Sequence, residues 1–166
     1  MKSGKIFPPE FSEESLGLNP FIAGLVIKVR AIKSGYVPDG EEEGLLVDNV
    51  VELERDGYVK VYDGASQRVI VMGLSYRALQ VWTWMLYTVR SGKDYLWVNV
   101  ERVMVECGGM KSVKTYKSAI TELCRYGFIA PCVGVKNVYW LNPYYAFKGS
   151  RIKKYPKNVV VSKTNE

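Results

Sequence analysis

Apolar positions recur along this chain at two different periods, and the change of period divides it. The first part is patterned as strands. Phe21-Ile22-Ala23-Gly24-Leu25-Val26-Ile27-Lys28-Val29-Arg30 is rich in β-branched residues and alternates late in the run. Val51-Glu52-Leu53-Glu54-Arg55-Asp56-Gly57-Tyr58-Val59-Lys60-Val61-Tyr62 sets two alternating runs around Asp56-Gly57, a pair suited to the positive φ angles of a type I′ hairpin turn. Residues 34–44 between them are dense in turn formers and carboxylates, including Glu41-Glu42-Glu43, and read as a solvated loop. Residues 68–72 predict one more strand. The expectation for 1–72 is an acidic segment holding a small antiparallel sheet.

From residue 73 the period becomes helical. Ser75 predicts an N-cap for a helix in which Leu79, Trp82, Leu86 and Val89 recur at 3, 4, 3 spacing, with Gly92 as its end. Val81, Trp84 and Met85 make its other side apolar too. Such a helix packs between a sheet and the rest of a domain, or it offers a homodimer surface. A short strand, Tyr95-Leu96-Trp97-Val98, precedes a second helix capped by Asn99, with Val100, Val103, Met104 and Cys107 on one face and Gly108-Gly109 at its end. A third helix is predicted over 112–126, ended by Gly127. At one residue per 100° or so, Val113, Tyr116, Ile120, Leu123 and Cys124 form its apolar stripe. Lys114, Thr115, Ser118, Glu122 and Arg125 lie opposite, with Lys117 and Thr121 on the flank. Phe128-Ile129-Ala130-Pro131-Cys132 and Asn137-Val138-Tyr139-Trp140-Leu141 then predict a hairpin.

Helix, short strand, helix, glycine turn, helix, hairpin is the order of a winged helix-turn-helix. The expected fold class is α+β: an acidic β-rich segment over 1–72, a winged helix-turn-helix over 73–142 and a basic aromatic tail over 143–166. Charge follows the same division. Residues 1–72 hold 8 Lys/Arg against 12 Asp/Glu, a net of −4, whereas 73–166 hold 15 against 5, a net of +10. Within 108–163 Glu122 is the one acidic residue among 11 basic ones. The overall +6 therefore understates how strongly one end favours a polyanion. In this arrangement the third helix enters the major groove of double-stranded DNA. The expected contacts are Lys111, Ser112, Lys114, Thr115, Lys117, Ser118 and Thr121 on the helix and Lys136 and Asn137 on the wing. Lys148, Arg151, Lys153 and Lys154 of the tail would neutralise phosphates.

Composition removes several alternatives. The chain of 166 residues has no histidine, which excludes Ser-His-Asp and Cys-His nucleophile pairs and His-ligated zinc. Its three cysteines, Cys107, Cys124 and Cys132, form no C-x-x-C pair and predict buried thiols, not a disulfide framework. No arginine cluster surrounds any of the 12 tyrosines, so a tyrosine nucleophile lacks the groups that would stabilise its transition state. The expectation is a protein that is not an enzyme, with no cofactor and no metal. Two prolines at Pro8-Pro9 interrupt the start before a signal-peptide stretch forms, and the apolar run 81–89 is too short to span a bilayer. No membrane partner and a cytoplasmic location are expected. The acidic segment is suited to a basic protein partner. Leu18-Asn19-Pro20-Phe21 echoes Leu141-Asn142-Pro143-Tyr144, but four residues make no repeat, and Asn-Pro commonly opens turns.

Gly109-Met110-Lys111-Ser112-Val113-Lys114-Thr115-Tyr116, then Ile120, Leu123, Gly127-Phe128-Ile129, Tyr139-Trp140-Leu141-Asn142-Pro143 and Phe147-Lys148-Gly149 resemble the RepL family, winged-helix replication proteins of plasmids with relatives in phages. The resemblance spans about residues 73–151, and 1–72 has no counterpart in it. It implies origin recognition in plasmid or phage replication. A transcriptional regulator of the same fold, or a phage structural or adaptor protein using it for protein contacts, are the competing expectations.

Overall fold

The computed structural model describes residues 9–32, 46–47, 60–61 and 70–163. The turn expected at Asp56-Gly57 and the loop over 34–44 lie outside the described residues. The protein is a mixed α+β structure whose centre is a three-stranded antiparallel sheet. Helix α1 spans Tyr76–Thr88, α2 Val100–Glu106, α3 Val113–Arg125 and the short α4 Arg151–Lys154. The strands are β1 Ile27–Ile32, β2 Leu46–Val47, β3 Lys60–Val61, β4 Tyr95–Trp97, β5 Ile129–Pro131, β6 Val138–Leu141, β7 Ala146–Phe147 and β8 Val159–Lys163.

The helix starts follow from local chemistry. Ser75, Asn99 and Ser112 each take an extended backbone and accept a hydrogen bond from the N–H three residues on, as N-caps do. α1 ends at Thr88, before the glycine expected to stop it. Gly92 instead sits in the following turn at φ 73°, donating its N–H to the Lys148 carbonyl at 2.7 Å. Residues 70–72 are helical, which corrects the strand expected there; residues 68 and 69 lie outside the described residues. The Ile70 and Val71 carbonyls accept from the N–H groups of Gly73 and Leu74, so this chain coils towards the Ser75 cap and leaves no ladder for a partner strand.

The central sheet runs β4-β6-β5, with Ile129 opposite Leu141 and Tyr95 opposite Trp140. Because successive residues of a strand point to opposite faces, the sheet feeds two cores. Leu96, Ile129 and Leu141 join α1, α2 and α3 in the main core. Trp82 stands edge-on to Phe128 at 5.1 Å, and Phe128 stacks on Tyr145 at 4.2 Å. The apolar breadth of α1 is used there: Ala78, Val81, Trp82, Trp84, Met85 and Leu86 are all buried. On the other face Val138, Trp140 and Cys132 are covered by Leu16, Phe11 and Phe21 of the N-terminal segment.

The described strands of 1–72 also pair outside that segment. β1 does pair antiparallel with β2, but its other neighbour is β8, in parallel, with Ile27 opposite Val159. β3 pairs antiparallel with β7. Leu25, Ile27, Phe147 and Tyr155 form a third small core where the two ends of the chain meet. A period-2 pattern specifies which residues share a face but not which strand lies alongside, and here β7 and β8 lie far along the chain from the strands they pair with.

The N-terminal segment is also held by polar contacts. Glu13 accepts from the Tyr95 hydroxyl at 2.7 Å and pairs with Lys93. Lys93, then Tyr95, hold the Glu13 carboxyl below the usual carboxylate range. Burial, with Glu13 beside it, pushes the Tyr95 phenol from its ordinary 10.0 up to about 12.

Two outcomes are expected. Phe128→Ala, which empties a fully buried ring site, should cost about 3–5 kcal/mol in denaturant unfolding. The unfolded chain ionises the Tyr95 phenol before the folded one does, so its contribution is whole below about pH 10 and lost by about pH 12. Tyr95→Phe should make the alkaline fall in the unfolding midpoint shallower.

Candidate nucleic-acid interface

Helix α3 is held from beneath and behind. Tyr116, Ala119, Ile120 and Leu123 are buried against α1, α2 and the sheet. Burial raises the pKa of the Tyr116 hydroxyl, beside that of Tyr139, and of the Cys124 thiol, so this underside stays uncharged. At the helix end Gly127 takes φ 71°, the left-handed conformation that reverses the chain into β5.

Glu122 has a role that the pattern did not disclose. Its Oε1 accepts the Ser75 backbone N–H and its Oε2 the Ser75 hydroxyl, both at 2.6 Å. Ser75 Oγ also accepts from the Ala78 N–H as the α1 cap. A carboxylate on α3 thus sits at the N-terminus of α1, where the helix dipole and unsatisfied N–H groups favour negative charge. The one acidic residue of the basic stretch is engaged with a neighbouring helix.

The opposite face is open. Lys114, Lys117, Ser118 and Thr121 line one shallow surface groove along α3, and all are exposed; Glu122 borders the same groove and is half-buried. Arg125 and Tyr126 continue that groove, with the guanidinium 5.9 Å from the ring centre of Tyr126. Both belong to the same candidate face. Arg125 was legible as one helical turn beyond Thr121, whereas the place of Tyr126 depends on how the helix ends. Ser112 and Thr115 have structural roles as well: the Ser112 hydroxyl caps the Thr115 N–H at 3.2 Å and meets the Thr115 hydroxyl at 2.9 Å. Thr121 donates its hydroxyl to the Lys117 carbonyl at 2.9 Å. Lys111 is exposed in the turn before the cap. Val113 departs from its expected place in the apolar stripe. It is 48% exposed and lines the groove, because as the first helical residue it has no preceding turn to pack against.

The remaining candidates lie elsewhere. Lys136 is exposed in the β5–β6 turn, and Asn137 there takes φ 60°, its carbonyl accepting the Val98 N–H at 2.8 Å. The tail cations belong to a folded segment. Arg151 donates to the Pro143 carbonyl at 2.9 Å, and Lys154 lies 3.8 Å from the Asp94 carboxylate. Lys148 is half-buried and its carbonyl holds Gly92, whereas Lys153 is exposed on α4.

The two Asn-Pro sites share one device. Asn142 Oδ1 accepts the Tyr144 N–H while its Nδ2 donates to the Gly127 carbonyl at 2.7 Å. Asn19 Oδ1 accepts the Phe21 N–H while its Nδ2 donates to the Leu141 carbonyl at 3.0 Å and the Asp94 carboxylate at 2.9 Å. Each asparagine closes its own turn and ties it to a distant strand or turn. Asn142 in particular fixes the end of α3 to the end of β6.

Among the described residues no three His, Cys, Asp or Glu side chains gather as a metal site would require, and no helix is long and apolar enough to cross a membrane. Asn142→Ala, which leaves the Gly127 carbonyl without its donor, should lower unfolding stability by about 1–3 kcal/mol. No family model, no curated protein and no solved structure matches this chain.

Proposed function

We propose that this chain is a sequence-specific double-stranded DNA-binding protein of the winged helix-turn-helix type, with α3 in the major groove and the β5–β6 turn on the backbone. One observation carries this: the outer face of α3 gathers Lys114, Lys117, Ser118, Thr121 and Arg125, while Glu122, which borders the same groove, has both carboxylate oxygens bonded to Ser75. A duplex presents about one negative charge per 1.7 Å, so a carboxylate free on this face would oppose entry. Bonding both its oxygens to the α1 cap occupies that carboxylate, and the residues around it are mainly cations and hydroxyls, the groups that hydrogen-bond guanine and adenine edges and phosphates.

The exposed Lys136 and Lys153 add phosphate contacts outside the groove. The likeness of residues 73–151 to the RepL family favours a role in plasmid or phage replication initiation over transcriptional control. The two differ in where the bound sequence lies, an origin or a promoter, and not in the chemistry of reading it.

A titration of the full chain against a random duplex pool at several salt concentrations, with sequencing of the bound fraction, tests the proposal. A falling affinity with rising salt and an enriched motif are expected. Lys114→Ala should cost about 1–3 kcal/mol at that motif. Lys136→Ala should weaken all sequences alike and reduce the salt slope by about one. Absence of salt-sensitive binding would overturn the proposal in favour of a protein-contact role.

A further inference from the structure

We infer that Val113 reads the 5-methyl group of a thymine in the major groove. This rests on the DNA-reading role proposed above and adds a specificity determinant to it. Periodicity alone assigns Val113 to the core stripe with Tyr116, Ile120 and Leu123. Those three are at most 9% exposed, whereas Val113 is 48% exposed. It stands at the edge of the groove, with Lys114 next to it and Lys117 one turn on.

A lone exposed valine on a protein surface needs no explanation. This one occupies the first helical residue after the Ser112 cap, and the N-terminal residues of a reading helix are those that reach base edges. Its nearest neighbours on the groove, Lys114 and Lys117, are cations that match phosphates and guanine, while Glu122 and Tyr126 lie two turns or more further along the helix. An isopropyl group gains nothing against a phosphate. The thymine methyl is the apolar feature of the major-groove edges, and burying it against Val113 removes both from water. The β-branch also restricts χ1, so the two methyls of Val113 are presented with little rotamer freedom left to lose.

The size of the effect follows from what is buried. One methyl removed from water corresponds to about fourfold in affinity. This is small beside the whole of binding, so it appears as preference at one base pair, not as loss of binding.

The test uses the full chain and duplexes carrying the motif enriched from the random pool. Each thymidine is replaced in turn by deoxyuridine, which deletes only the methyl. The wild type should lose about fourfold at one position. Val113→Ala should bind the thymidine duplex more weakly and no longer distinguish the two bases there, while Val113→Ile retains the distinction. Unchanged thermal melting is expected for both variants, since half the side chain is already in solvent.

If a motif is enriched but no deoxyuridine position weakens the wild type, the inference fails and the DNA-reading role stands. Equal discrimination by Val113→Ala and wild type overturns it likewise. Absence of salt-sensitive DNA binding takes down both.

Discussion

The Asp94 carboxylate is 5% exposed, and a buried carboxylate is tolerated only where donors are brought to it. Its donors come from both ends of the chain. Asn19 donates from the N-terminal segment at 2.9 Å and the Tyr155 hydroxyl from the C-terminal segment at 2.7 Å, with the Lys154 ammonium 3.8 Å away. The Asp94 carbonyl meanwhile accepts the Leu141 N–H, fixing the start of β4 beside the end of β6. Satisfying one charge therefore requires the two termini to close over the central sheet. Burial and the neighbouring Asp94 carboxylate raise the pKa of the Tyr155 hydroxyl, which keeps it a donor well into the alkaline range.

Much of the remaining architecture follows from that closure. With Asn19 held, Leu16, Phe11 and Phe21 lie over the face of Val138 and Trp140, a face that three strands alone would leave open to water. With Tyr155 held, the small core of Leu25, Ile27 and Phe147 forms, and β8 can run beside β1. The acidic segment thus acts as a cover for the sheet. The aromatics spaced among the tail cations are anchors: Tyr145, Phe147 and Tyr155 are buried, leaving Lys153 among the residues turned outward.

The α3 face shows the same economy at smaller scale. A helix that presents cations must be supported by apolar contacts on its other side, and its own carboxylate must be placed where it does no harm. Tyr116, Ile120 and Leu123 provide the first, and the contact between Glu122 and Ser75 provides the second. That contact also joins the orientation of α3 to the start of α1. Asn142 joins it to the end of β6 through Gly127. The C-terminal end of the proposed reading helix is thus held by two bond networks, and its N-terminal end by the Ser112 cap.

Local chemistry alone determined the three long helical segments, their Ser75, Asn99 and Ser112 caps, the β5–β6 hairpin and the exposed cations of α3, because each depends on residues within a few positions of one another. Tertiary structure decided what depends on distant neighbours. The parallel pairing of β1 with β8, the covering of the sheet by residues 11–21 and the burial of Asp94 all join segments far apart in sequence, and no period along the chain encodes a partner. Glu122 and Val113 lie between these cases. Helical spacing placed one on the outer face and the other in the core; the neighbouring helix engaged the first through Ser75, and the position at the helix start left the second exposed on the groove. Periodicity fixes only the direction in which a side chain leaves its helix. Whether that direction ends in solvent, in a core or on the cap of another helix depends on what the rest of the chain has packed there.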